Sequence, residues 1–295
     1  NGGVREMDIA PNGKEIAFIS RGEVFVTSID GSLTKRITNT PEQERFVKFM
    51  PDGKGVAYAS ERNGKWSIFK SSKVRSQEPY FFAATVFKED TLVTSKEDIY
   101  LPEFSPDSTY VAYIEGRRTL KVKNLKTNDI TTLLTPDELI HMQDGDQYFQ
   151  WSPDSKWLLV DWRISLSNSE VLLISKDGKQ RKNLTQSGYY DGSAKWVNEG
   201  NQILYYSNRD GLKSYATSGR SELDVYSMFL NQDSWDKFNN SKAEYDLLKM
   251  IEDAAKEKKD EAKSDDKKKK DDKKKETEVK TLKFDLEDVE RRKSR

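Results

Sequence analysis

The sequence predicts an all-β fold, a β-propeller built from four-stranded blades, and three observations predict it. A short phrase ending in a Pro turn recurs along the chain. A nearly all-apolar run follows each copy. A third apolar run and a polar hairpin partner then complete each unit.

The phrase stands as Ile9-Ala10-Pro11-Asn12-Gly13-Lys14, Phe49-Met50-Pro51-Asp52-Gly53-Lys54, Phe104-Ser105-Pro106-Asp107-Ser108 and Trp151-Ser152-Pro153-Asp154-Ser155-Lys156, with an eroded copy at Trp196-Val197-Asn198-Glu199-Gly200-Asn201. Its anchors fall about 40 to 55 residues apart, the span of a propeller blade. Pro fixes the φ that the second place of a tight turn needs, and Asp or Asn followed by Gly or Ser tolerates the rest, so each phrase reads as strand, turn, strand.

The runs that follow are Ile16-Ala17-Phe18-Ile19, Val56-Ala57-Tyr58-Ala59, Val111-Ala112-Tyr113-Ile114, Trp157-Leu158-Leu159-Val160 and Ile203-Leu204-Tyr205-Tyr206. Strands apolar on both faces are covered on both faces, as in a sheet sandwiched between two neighbours. Third strands are expected at 24–26, 66–69, 120–122, 171–174 and 225–228. Asp30-Gly31, Thr127-Asn128 and Asp177-Gly178 then mark hairpin turns into polar outer strands. This gives five units, at roughly 4–41, 42–98, 99–146, 147–192 and 193–295.

The last unit is interrupted. Blades occupy 1–230, and residues 231–281 form an insertion that begins with apolar residues at helical spacing, such as Tyr245, Leu248 and Ile251. From 254 to 280 Lys, Asp and Glu alternate in blocks with almost nothing apolar, which predicts a frayed helix or disorder. The alternation in Leu282-Lys283-Phe284-Asp285-Leu286 predicts that 282–295 returns as the missing outer strand.

Composition narrows function. The 13 Phe, 13 Tyr and 6 Trp allow a sizeable core. Fifty basic and fifty acidic residues cancel, which argues against nucleic acid as a partner, and no apolar run approaches the length of a membrane span. Cysteine is absent, which removes disulfides and thiolate chemistry. The chain opens without an initiator Met, so it is expected to be cut from something longer.

Catalysis has little to work with. Nucleophilic Ser needs a base, and the one histidine, His141, falls in the connection between the third and fourth units, where a surface role is expected. There is no Gly-x-Ser-x-Gly elbow and no phosphate or dinucleotide loop, so no catalytic residue and no cofactor is assigned. His141, Asp144 and Asp146 could gather a cation, but the regular oxygen ligands of a calcium loop are missing and no metal is expected. Candidate binding residues lie in connections expected to join blades: Tyr80, Phe81, His141, Asp144, Asp146, Tyr148, Tyr189, Tyr190 and Asp191, where aromatics and acids could meet a peptide. The Trp residues at 151, 157, 162 and 196 are expected to pack between blades.

The Phe-Ser-Pro-Asp phrase with its apolar strand, together with Tyr206-Ser207-Asn208-Arg209-Asp210-Gly211, resembles the propeller repeats of the TolB and tricorn-protease group, the WD40-like PD repeats. The irregular stretch at 71–81 and the Lys-rich insertion before Phe284-Asp285-Leu286-Glu287-Asp288 resemble the tricorn-type proteins of the S41 serine peptidase family. That resemblance implies a ring of six or seven blades, so at least one blade is expected outside this chain. It also implies a non-catalytic propeller that filters or positions peptide or unfolded-protein substrates for PDZ and peptidase domains of the same parent. The periplasm is the implied compartment, with the cytoplasm as alternative, and self-association stays open. The other reading is a TolB-like adaptor that binds partner proteins and carries no enzyme.

Overall fold

The Pro phrase closes a turn of one geometry in four copies. In the computed structural model, which describes residues 4, 6–140, 147–165, 168–212, 221–265 and 281–295, the residue after the Asn or Asp takes a left-handed backbone: Gly13, Gly53, Ser108 and Ser155, with φ between 56° and 68°. Its amide donates back to the residue before Pro, and the Asn or Asp side chain accepts the next amide, as in Lys14 N to Asn12 Oδ1 at 2.8 Å and Thr109 N to Asp107 Oδ1 at 2.9 Å. The fifth copy has no proline to hold φ, and there Asn198, Glu199 and Gly200 all turn left-handed in a short 3₁₀ segment.

Each turn joins the first two strands of an antiparallel four-stranded sheet. The first blade holds β1 (Met7–Ile9), β2 (Glu15–Ser20), β3 (Glu23–Ser28) and β4 (Thr34–Arg36); the second holds β5 (Glu44–Phe49), β6 (Val56–Arg62), β7 (Lys65–Lys73) and β8 (Phe87–Val93). The third comprises β9 (Ile99–Phe104), β10 (Tyr110–Glu115), β11 (Thr119–Asn124) and β12 (Ile130–Leu134). The fourth comprises β13 (Phe149–Trp151), β14 (Trp157–Trp162), β15 (Glu170–Ser175) and β16 (Arg181–Asn183). In the fifth, β17 (Asp191–Val197), β18 (Gln202–Ser207) and β19 (Asp224–Phe229) are completed by β20 (Lys293–Ser294). In every sheet the strands follow one another in chain order, the meander of a propeller blade.

The core is a series of seams rather than one centre. Among the described residues four apolar clusters are found, and each joins one blade to the next in sequence: Val24 and Val26 with Tyr58 and Phe69, Ala57 and Ile68 with Val111 and Tyr113, Ala112 and Leu120 with Leu158 and Leu172, Leu159 and Leu173 with Ile203 and Tyr205. Strands β6, β10 and β14 are accordingly buried on both faces. Ala17, Ala57 and Ala112, all wholly buried, keep the sheets close.

Two further devices lace the blades. Ser108 and Ser155 stand where the first two copies have Gly, and their hydroxyls accept the amides of Asp52 and Asp107 from the preceding blade's turn, each at 3.0 Å. On the opposite ends of the blades, Thr38 and Thr185 just beyond the outer strands repeat one network. Each Oγ1 accepts a third-strand amide, Val24 at 2.9 Å or Val171 at 3.1 Å, and donates to the carboxylate of Glu23 or Glu170.

The expected outer strand needs correction. Leu282 to Leu286 does not pair into the fifth sheet; β20, later in the same 282–295 segment, does, and among the described residues its partner is β19. The alternation is real but serves a different contact. The segment runs across the Pro-turn ends of blades four and five, with Leu282 N donating to Asp154 Oδ2 at 3.0 Å and Asp285 N to the Leu230 carbonyl at 2.9 Å. Phe284 packs between Trp157 and Trp196, centroids 5.4 and 6.0 Å away. The insertion begins with α1 (Gln232–Asn239), capped by Asn231, and continues in α2 (Lys242–Asp265), whose apolar residues Tyr245, Leu247 and Ile251 are exposed.

Candidate functional site at the blade axis

The third residue before each turn's Pro, or before Asn198 in the eroded copy, is polar in all five units: Asp8, Lys48, Glu103, Gln150 and Lys195. All five sit at one register position on the innermost strands, opposite Ala17, Ala57, Ala112, Leu159 and Leu204. Each keeps solvent access, while residues beside them such as Phe49, Phe104 and Trp151 are buried. Innermost strands face the propeller axis, so this register lines it with polar side chains, acidic in blades one and three, basic in blades two and five, and a neutral amide in blade four.

These side chains also hold neighbouring blades together. Asp8 accepts the Phe49 amide at 2.7 Å, and Lys48 pairs with Glu103 at 2.6 Å. Gln150 Oε1 accepts the Trp196 amide at 3.3 Å. A third of the Glu103 side chain remains accessible, yet the protein crowding its carboxyl raises its pKa, with the Lys48 ammonium working against the rise.

The innermost strands are locally strained. Phe46, Leu101 and Ser193 take φ values of 56°, 53° and 51° at bulges in β5, β9 and β17. Two of the freed amides are taken by a carboxylate of the preceding blade: Phe46 N donates to Glu6, and Ser193 N donates to Asp161 Oδ1 at 2.7 Å. Asp161 occupies a second-strand position that is Ile19, Ala59 or Ile114 in the first three blades. It is buried, and burial pushes its carboxyl up to about 7, opposed by the Ser193 amide and the Arg163 charge. Gly192 beside it has no room for a side chain: a Cβ there would lie 2.8 Å from Asp161 Oδ2.

The candidate binding residues divide between the two ends of the blades. Tyr80 and Phe81 are not in a connection between blades as expected; they belong to the loop between β7 and β8 of one blade, at the Pro-turn end. Phe81 is wholly buried among Phe49 and Phe87, and its amide donates to Glu15 at 2.6 Å, so it is core. Tyr80 stacks on Phe82 at 5.0 Å. At the opposite end, Tyr148, Tyr189, Tyr190 and Asp191 gather where blades four and five meet. Tyr148 has its hydroxyl pushed up to about 12 by burial and by the Asp161 and Glu103 charges. Arg163 lies over the Tyr190 ring at 5.7 Å and Arg209 over Tyr189 at 5.5 Å. Asp191 is wholly buried, accepts from the Ser187 hydroxyl and pairs with Arg209 at 3.3 Å. It repeats the arrangement of Glu44, which accepts from the Thr40 hydroxyl at 2.7 Å four residues upstream, so a structural job accounts for it. His141, Asp144 and Asp146 lie outside the described residues.

The axial residues and Asp161 were missed by reading the connections first. A register signal was available: the third place before each turn's Pro is polar throughout, and Asp161 interrupts the apolar run Trp157-Leu158-Leu159-Val160.

No protein-family model matches the chain. Among solved structures, the crystal structure of the tricorn protease superposes with a TM-score of 0.61 and 12% identity over 100% of this chain and 26% of its own. A TolB from Agrobacterium tumefaciens superposes with a TM-score of 0.53 and 16% identity, covering 78% of this chain and 77% of its own. An oligogalacturonate lyase in complex with manganese matches with a TM-score of 0.53 and 12% identity over 78% of this chain and 62% of its own. The chain therefore spans about a quarter of the tricorn protease chain, 26%. Five four-stranded antiparallel sheets and these likenesses establish the β-propeller fold that tricorn protease and TolB share.

Proposed function

We propose that this chain is a non-catalytic propeller of a tricorn-like, S41-type serine protease, which admits or positions extended peptides for a catalytic domain outside these residues. The observation that carries the reading is the polar axial register. Each of the four seams is centred on an apolar cluster, whereas Asp8, Lys48, Glu103, Gln150 and Lys195 present donors and acceptors, two acidic and two basic, along the axis. Such a lining suits an unfolded backbone and mixed side chains better than one compact ligand. The likeness to tricorn protease over the whole chain supports it. Peptide or unfolded protein is the substrate class, PDZ and peptidase domains are the partners within the parent, and the periplasm is the compartment. None of the described helices is long and apolar enough to cross a membrane.

A second reading, a TolB-like adaptor for partner proteins, is favoured by one observation. The TolB match covers 77% of that chain, against 26% of the tricorn protease.

The test is binding and turnover of fluorescent unfolded peptides by residues 1–295. The protease reading expects binding without hydrolysis, and weaker binding of acidic peptides by Lys48→Glu with Lys195→Glu. Hydrolysis lost on changing His141, or peptide binding indifferent to both reversals, would overturn it.

A further inference from the structure

The insertion and the eroded turn of blade five enclose a cleft of about 620 Å³ at the Pro-turn end, a volume in the range of ligand sites. Three stretches of chain wall it: the turn through Glu199 and Asn201, the start of α1 through Asn231 and Asp233, and the returning segment through Leu282 and Lys283. These walls are fixed. A Cβ on Gly200 would stand 2.7 Å from a Leu282 methyl, Leu282 N is bound to Asp154, and Asn231 caps α1 by accepting the Ser234 amide at 2.9 Å.

Glu199 is released from the task its counterparts perform. Asn12, Asp52, Asp107 and Asp154 each accept the amide two residues on, which closes the turn. In blade five the matching amide, Asn201 N, donates to the Asn198 carbonyl at 3.0 Å, so the turn closes without the Glu199 carboxylate. Charge in the cleft is balanced, with Glu199 and Asp233 against Lys237 and Lys283, all four exposed. Among the described residues Glu199, Asp233 and Lys283 enter no ion pair. Asn201 and Asn231 are half-buried beside them and share one bond, Asn231 Nδ2 to Asn201 Oδ1 at 3.0 Å. Asn201 Nδ2 also donates to the Asn198 carbonyl at 3.0 Å. Each side-chain amide thus keeps one N–H and one lone pair.

We infer that this cleft binds a short extended peptide carrying one basic and one acidic side chain, with its backbone on the two asparagine amides. The spare N–H and C=O of Asn201 and Asn231 match what a peptide group offers, and walls bearing both signs match a ligand bearing both. No aromatic ring lines the cleft, which leaves a sugar or nucleobase without a stacking face. The inference deepens the peptide reading above and rests on peptide as the substrate class, not on gating along the axis.

Fluorescence anisotropy tests it on residues 1–295 with a labelled hexapeptide that is neutral but for one Lys and one Glu. Peptides in which Ser replaces either charge complete two double-mutant cycles. In the parent chain each peptide charge should tighten binding about threefold. Glu199→Gln with Asp233→Asn should erase the advantage of the peptide Lys alone, and Lys237→Met with Lys283→Met that of the peptide Glu alone. All four positions are exposed, so the fold should tolerate both pairs, and melting curves check this. Peptide charges without effect, or advantages that survive both pairs of substitutions, would overturn the inference. In that event longer unfolded peptides that still respond to the axial Lys48→Glu, Lys195→Glu reversal would keep the gating reading. Intact cycles with no axial response would support the cleft and remove gating.

Discussion

The Ser155 hydroxyl accepts the Asp107 amide at 3.0 Å, joining the Pro turn of blade four to that of blade three from a residue held at φ 60°. A non-Gly residue in that region costs about 1 kcal/mol, and the bond is worth about as much. Ser155→Gly removes both and should leave stability nearly unchanged. Ser155→Ala keeps the strain, loses the bond and should cost about 1–2 kcal/mol. Urea denaturation of the three proteins checks the order; an alanine variant as stable as the parent refutes it.

Asp161 makes stability depend on pH in a stated direction. Its carboxyl keeps a proton in the folded chain up to about pH 7, against a usual value of 3.8. Between those values the folded state holds the extra proton, so this group's contribution falls as pH rises from 3.8 to about 7 and is flat above. The slope is at most about 1.4 kcal/mol per pH unit. Asp161→Asn retains an oxygen for the Ser193 amide but does not titrate. Its melting temperature plotted against pH should lack that descending limb, and an unchanged limb would assign it elsewhere.

Much of this fold was legible because its signals are local. A Pro turn needs Pro11, Asn12 and Gly13 in sequence, and a doubly covered strand needs an apolar run, so blades could be counted before any packing was known. Leu282, Phe284 and Leu286 misled because alternation reports which side chains are covered, not whether the backbone pairs. Ser108 and Ser155 looked like tolerated turn residues, since their partners stand 56 and 48 positions upstream. The four charged axial residues were hidden among fifty acids and fifty bases, and only the register they share with Gln150 sets them apart.

Thr38 and Thr185 perform one task in two blades, each hydroxyl receiving a buried third-strand amide and giving its proton to a glutamate. Thr→Val preserves shape but leaves that amide unsatisfied, at about 1–3 kcal/mol per site. Thr38→Val and Thr185→Val should each be destabilised by this amount. Their effects should add in the double variant, because the sites lie in different blades. Chemical denaturation of the set measures both claims, and strong non-additivity would mean that the networks communicate.

Phe284 fastens the returning segment where blades four and five meet, lying between Trp157 and Trp196. Lys156 Nζ, donating to Thr281 Oγ1 at 2.8 Å, and Leu282 N, donating to Asp154, hold the same stretch to the fourth Pro turn. Blade five acquires its outer strand through this segment, because β20 follows it and, among the described residues, pairs with β19. Phe284→Ala should therefore cost about 2–4 kcal/mol of global stability. It should also release β20 before the other strands. Hydrogen exchange would show this as faster exchange of the β20 amides in the variant, with β14 still protected. Uniform acceleration across all five blades would instead make the segment part of one cooperative unit.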